Sequence, residues 1–156
     1  MAEIDKDFDK DFETFTKIVD PDLDPVLLLL RAHLLTENLI KSLIMLVLER
    51  GDRIVFNGNL GYYQKVSLLD SFDIVPDELI SSLKNLNKVR NKCSHEMDKQ
   101  ITISDIDFIG SSLKDEYTKT KREYRNDHKT LLYTTLAYIC GYLVGVIHSY
   151  EQTNRE

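Results

Sequence analysis

Arg90-Asn91-Lys92-Cys93-Ser94-His95 sets a fixed cation, an amide and a group that titrates near neutral pH within one short stretch. A guanidinium grips a phosphate through paired N–H donors, and an imidazole takes or gives a proton at physiological pH. Such a set can bind a phosphoryl group and move a proton to or from its oxygens. Arg90 and His95 are about 140° apart on a helix, so they flank a common groove rather than stack. Asn91 lies four residues before His95 and therefore directly beneath it. Lys88 and Lys92 offer two more cations to a nucleic-acid backbone. The same Arg90, Asn91 and His95 can equally tie a helix end or a dimer together. Sequence alone does not choose.

The motif closes a helix. Leu79, Ile80, Leu83, Leu86 and Val89 recur at three- and four-residue spacing, and Pro76-Asp77-Glu78 opens the run with acids at the positive end of the helix dipole. Upstream, Asp24-Pro25 caps a helix expected over residues 26–50, the longest of the chain and ended by Gly51. Leu28, Ala32, Leu35, Leu39, Leu43 and Leu46 form its core stripe. Leu27, Leu30, Leu34, Ile44 and Leu48 make it apolar almost all round, which implies burial on two sides and a subunit interface. His33, Glu37 and Lys41 read as a solvated strip, and Arg31, Asn38 and Ser42 as a satisfied cluster at the core edge. A turn-rich loop over 52–61 and a short helix over 60–72 lead to the motif helix. After it come an extended piece, Ile101-Thr102-Ile103, and a helix over about 105–124 capped by Ser104 and Asp105.

Leu131 to Ile147 contains no charged residue, which nearly allows a membrane span. Tyr133, Thr134, Thr135, Tyr138 and Tyr142 are scattered through its middle, however, and no basic cluster flanks it. It is read as a buried terminal helix, with Gly141 and Gly145 permitting close approach of a neighbour and His148 near its end.

With six Gly and three Pro in 156 residues and no long β-branched alternation, the expected class is all-α, an up-and-down bundle of four to five main helices. The chain divides into an acidic arm or short helix over 1–24, the bundle over 25–150 and a polar tail over 151–156. Phe8, Phe12, Phe15 and Val19 give the arm its helical spacing. Nine acids against three lysines in residues 1–25 account for the whole net charge of −6, so the remainder is neutral. Residues 84–99 are locally basic: Lys84, Lys88, Arg90, Lys92 and Lys99 oppose Glu96 and Asp98. That is a modest footprint for RNA, and no helix-turn-helix is evident for DNA. Cys93 and Cys140 form no metal-ligand spacing, and no cofactor or metal is expected. The acidic start lacks an export signal, so reduced thiols in the cytoplasm are the expectation.

Arg90-Asn91 followed by His95 resembles the R-x(4–6)-H signature of the HEPN superfamily in its RN-x-x-x-H form. Leu60-Gly61-Tyr62-Tyr63-Gln64-Lys65-Val66, then Leu79 to His95, then Ile101 to Ile109 is similar to the mannitol operon repressor branch of that group, over roughly residues 26–110. Ser94 stands where that branch often has Ala, Cys93 replaces an aromatic, and the acidic arm has no counterpart. The motif ends the third helix of the expected bundle, after a long first and a short second one, and the resemblance implies a dimeric helical bundle in which two motifs share one groove. It further implies either a metal-independent endoribonuclease, acting as a toxin or defence effector through Arg90, Asn91 and His95, or a non-catalytic regulator that binds a protein partner such as an antitoxin.

Overall fold

In a computed structural model, which describes residues 15–17 and 19–155, the chain is all-helical and no described residue lies in a strand. Seven α-helices follow Pro25 among the described residues: α1 (Pro25–Val47), α2 (Gly51–Asn57), α3 (Tyr62–Ser71), α4 (Asp77–His95), α5 (Ile103–Gly110), α6 (Asp115–Glu123) and α7 (His128–Thr153), with a 3₁₀ turn at Ser111–Leu113. The helix expected in the N-terminal arm falls mostly outside the described residues, but Phe15 and Val19 are buried and the Phe15 ring lies 5.7 Å from Tyr133 of α7.

Asp24 caps α1 by accepting from the Val26 N–H at 3.0 Å, with Pro25 at the first helical position where no N–H is needed. The helix stops at Val47, not at residue 50. Gly51 is not its terminator but the first residue of α2, so the expected 52–61 loop contains a further short helix and the motif ends the fourth helix rather than the third. Space explains this glycine. A Cβ there would stand 2.8 Å from Met45 Cα and 2.9 Å from the Ile44 carbonyl carbon, both backbone atoms that cannot swing away.

The helix expected over 105–124 is broken in two. Thr102, not Ser104 or Asp105, caps α5: its Oγ1 accepts from the Asp105 N–H at 3.2 Å, while Asp105 Oδ2 accepts from the Thr102 N–H at 2.9 Å. Lys114 then turns the chain in the left-handed region, with φ 56°. Asp105 also takes the Lys99 ammonium at 2.6 Å, which fastens the segment after the motif to the start of α5.

α1 packs along α7, and α4 packs on α1, α3 and α5. Leu28, Leu29, Ile40, Leu43, Leu83, Leu86, Leu136 and Leu143 are fully buried at the centre. Two polar side chains of α4 reach the end of α5: Ser82 Oγ donates to the Ile109 carbonyl at 2.5 Å and Asn85 Nδ2 to the Phe108 carbonyl at 2.8 Å. They satisfy carbonyls that a helix end leaves without partners.

α7, not α1, is the longest helix, and by length and composition alone it is apolar enough to cross a membrane. One face, from Leu131 to Leu143, is buried in the core, whereas Tyr138, Tyr142 and Gly145 are exposed. A Cβ on Gly141 or Gly145 meets nothing within 4 Å, so no neighbour among the described residues uses the close approach those glycines permit.

Candidate functional site

Leu79, Leu83, Leu86 and Val89 anchor α4 in the core and leave the opposite side of its last three turns to solvent. On that side Lys84, Lys88, Asn91, Lys92 and His95 fall within about 100° of one another. Lys88 reaches over the Phe108 ring at 5.8 Å, and Lys84 lies 3.7 Å from Asp70 and 5.6 Å from the Tyr63 ring centre. Lys88, Asn91, Lys92 and His95 are all exposed. Lys92 and His95 occupy the last turn, where the negative end of the helix dipole favours cations.

Arg90 points elsewhere. It is half-buried, on the flank of α4 that faces α1, and its Nη1 donates to Asn91 Oδ1 at 3.4 Å, a long bond. Ser94 Oγ donates back to the Arg90 carbonyl at 3.3 Å. His95 makes no hydrogen bond or ion pair with another described residue. The structure therefore joins Arg90 to Asn91 and aligns His95 with Lys88 and Lys92. It does not bring Arg90 into hydrogen-bond contact with His95.

The side chains of α1 next to this flank of α4 were not expected from the sequence. His33 is 7% exposed, not part of a solvated strip. Its Nε2 lies 3.0 Å from Asn87 Oδ1, one turn before Arg90, and its ring stacks on Tyr62 of α3 at 4.0 Å between centres. Thr36 sits 2.8 Å from the Tyr62 hydroxyl and donates to the His33 carbonyl at 2.7 Å. Burial pushes the His33 imidazole below its ordinary pKa. The Asn87 bond and Glu37 oppose that shift, and the Arg90 charge adds to it.

Glu37 is likewise withdrawn from solvent and pairs with Lys65 of α3 at 2.7 Å. Burial alone would raise its carboxyl. The Lys65 hydrogen bond and the charges of Lys65, Lys41 and His33 outweigh burial and hold it below the usual range. Of the cluster expected at the core edge of α1, Arg31 and Asn38 are exposed, and Ser42 donates to the Asn38 carbonyl at 3.1 Å.

Both cysteines are free thiols. Cys140 is buried and pushed up to about 12, and burial also raises Cys93. Among the described residues no three His, Cys, Asp or Glu side chains stand together as a metal cage. A groove of about 550 Å³ runs along the open face of α7, lined by Ile74, Tyr142, Gly145, Val146, Ser149 and Tyr150.

No family model, curated protein or solved structure matches the chain, so its likeness to HEPN proteins rests on the motif residues themselves.

Proposed function

We propose that the chain is a HEPN-type RNA-cleaving protein, working in the cytoplasm as a dimeric helical bundle, and that the end of α4, with Arg90 on one flank and His95 on the other, is its phosphodiester site. The observation that carries this reading is His95. It is an exposed imidazole with no partner among the described residues, at the end of a helix face that also presents Lys88, Asn91 and Lys92. A histidine whose role was to brace its own helix end would be engaged with that helix, and His95 is not.

In this reading Arg90 holds the scissile phosphate and stabilises the charge that develops on its oxygens. His95 takes the proton from the ribose 2′-OH, the 2′-oxygen bonds to phosphorus, and the bond to the 5′-oxygen breaks. The leaving 5′-oxygen takes a proton from solvent water, His95 returns its proton to solvent, and the products are a 2′,3′-cyclic phosphate and a 5′-hydroxyl. Asn91 orients Arg90, to which it is already bonded, and Lys88 and Lys92 grip the backbone. DNA, without the 2′-OH, is not a substrate.

Incubation of the purified protein with RNA and with DNA of the same sequence in EDTA tests this. RNA should be cut to 5′-hydroxyl ends with DNA intact, and His95→Ala should slow cutting by roughly 10²–10⁴-fold, the usual worth of a general acid or base. Intact RNA with the wild-type protein overturns the proposal.

A second reading, a non-catalytic regulator or protein-binding module, is favoured by a different surface. Tyr138, Tyr142 and the two open glycines of α7 form an uncharged face, and Leu27, Leu34 and Met45 are exposed along α1. Unimpaired partner binding by His95→Ala, together with inert RNA, would establish it.

A further inference from the structure

Glu37 is the nearest carboxylate to His33 along α1, but it is already committed to Lys65 at 2.7 Å. His33 is thus a buried imidazole bonded to Asn87, one turn before Arg90 on the α4 flank that packs on α1, and no carboxylate among the described residues is bonded to it. In the neutral form one ring nitrogen donates and the other accepts. With Asn87 Oδ1 as acceptor at 3.0 Å, the proton sits on Nε2. Tyr62, stacked on the ring and anchored to Thr36, leaves the imidazole little freedom to turn away.

We infer that His33 is a positioning residue for Arg90: clamped on Tyr62, it fixes Asn87 one helical turn before Arg90 and so holds the α4 flank from which the guanidinium projects. For its function this rests on the phosphodiester reading above; the coupling between His33 and Arg90 does not. Among the described residues the charged groups around His33 are Glu37 with Lys41 on α1, Lys65 on α3 behind Glu37, and Arg90 on α4. Tyr62 on α3 stays a neutral phenol because burial raises it. Protonating His33 would set a second cation against Arg90. An anion seated on Arg90 would relieve that repulsion, so anion binding and proton uptake by His33 favour each other.

Two measurements test this. The first follows the His33 ring resonance by NMR against pH in the wild-type protein and in Arg90→Gln. Removal of the facing cation should move the midpoint upward, and equal midpoints overturn the inference. The second measures the affinity for a fluorescein-labelled single-stranded RNA by anisotropy against pH. His33→Phe keeps a ring to stack on Tyr62 but loses the bond to Asn87 and the titration. It should bind about tenfold more weakly, the loss of one buried hydrogen bond, with a flatter pH profile. Wild-type affinity and profile in His33→Phe also overturn the inference while leaving RNA binding established. An RNA that the wild-type protein ignores overturns the phosphodiester reading instead, and the NMR midpoints then judge the His33–Arg90 coupling by themselves.

Discussion

Gly110→Ala should destabilise the protein by about 3 kcal/mol, whereas Gly141→Ala should leave it unchanged or slightly more stable. Both glycines lie in helices, so propensity alone favours alanine at each by roughly 0.5–1 kcal/mol. The difference is space. A Cβ on Gly110 would stand 2.7 Å from Tyr117 Cγ and run into the body of the ring, while at Gly141 nothing lies within 4 Å. The ring cannot easily move. Tyr117 is buried, and its hydroxyl donates to Asp107 at 2.7 Å, which Lys121 holds in turn at 2.8 Å. Displacing it exposes an aromatic side chain and loosens α5, the helix whose terminal carbonyls tie down Ser82 and Asn85 of α4. Thermal unfolding followed by circular dichroism reads the contrast, and a drop of about 6–12 °C is expected for Gly110→Ala. A comparable loss at Gly141 would show instead that a second chain covers the open face of α7.

Which parts of this arrangement can be read from sequence follows from where the information lies. The motif helix carries its own start and stop signals: Pro76 and two acids at the head, cations at the tail, and an apolar face of ordinary spacing between them. Its range and its motif are therefore legible. The join between α1 and α2 is not. Gly51 looks like a helix terminator, yet it is needed because its backbone lies against Ile44 and Met45, a contact between segments. The break at Lys114 is equally hidden. A lysine takes a left-handed conformation there, with neither glycine nor proline at the turn to announce it.

The candidate site divides in the same way. Arg90, Asn91 and His95 are adjacent in sequence and visible as a set. His33 is not, because α1 is so rich in leucine that several faces can serve as the core. The buried line actually runs Leu29, His33, Thr36, Ile40, turned from the stripe that leucine spacing favours, although Leu28, Ala32 and Leu43 belong to the core on either reading. One signal was present: His33 and Glu37 lie within that leucine-rich run as polar residues four apart, with Thr36 between them. Polar groups inside a helix that is otherwise apolar need partners, and the partners here are Asn87, Tyr62 and Lys65.

That need makes the Glu37–Lys65 pair the second place where a large effect is expected, and an asymmetric one. Glu37→Ala should cost about 3 kcal/mol, and Lys65→Met clearly less. The Lys65 side chain is 8% exposed and that of Glu37 21%. Without Glu37, the ammonium is left charged in a dry site, or must lose its proton or drag its stem outward. Without Lys65, the carboxylate can turn toward water, and methionine refills the space of the methylenes. The acid limb of stability separates the two roles further. Because Lys65 holds the folded Glu37 carboxyl below its unfolded value of 4.5, its contribution is complete above that value and is lost as pH falls through the folded one. His33 adds a component at higher pH. Burial lowers its folded pKa beneath the unfolded 6.5, so the unfolded chain takes up the proton first and stability declines as pH drops below 6.5. Urea unfolding across a pH series should therefore show two acid-sensitive steps in the wild-type protein. Lys65→Met should shrink the lower step, to which the ion-paired Asp105 and Asp107 also contribute, and keep the upper one, and His33→Phe should remove the upper step and keep the lower. A change in both steps in either variant would mean that the ion pair and the imidazole titrate as one unit, so that this side of α1 responds to pH as a whole rather than through His33.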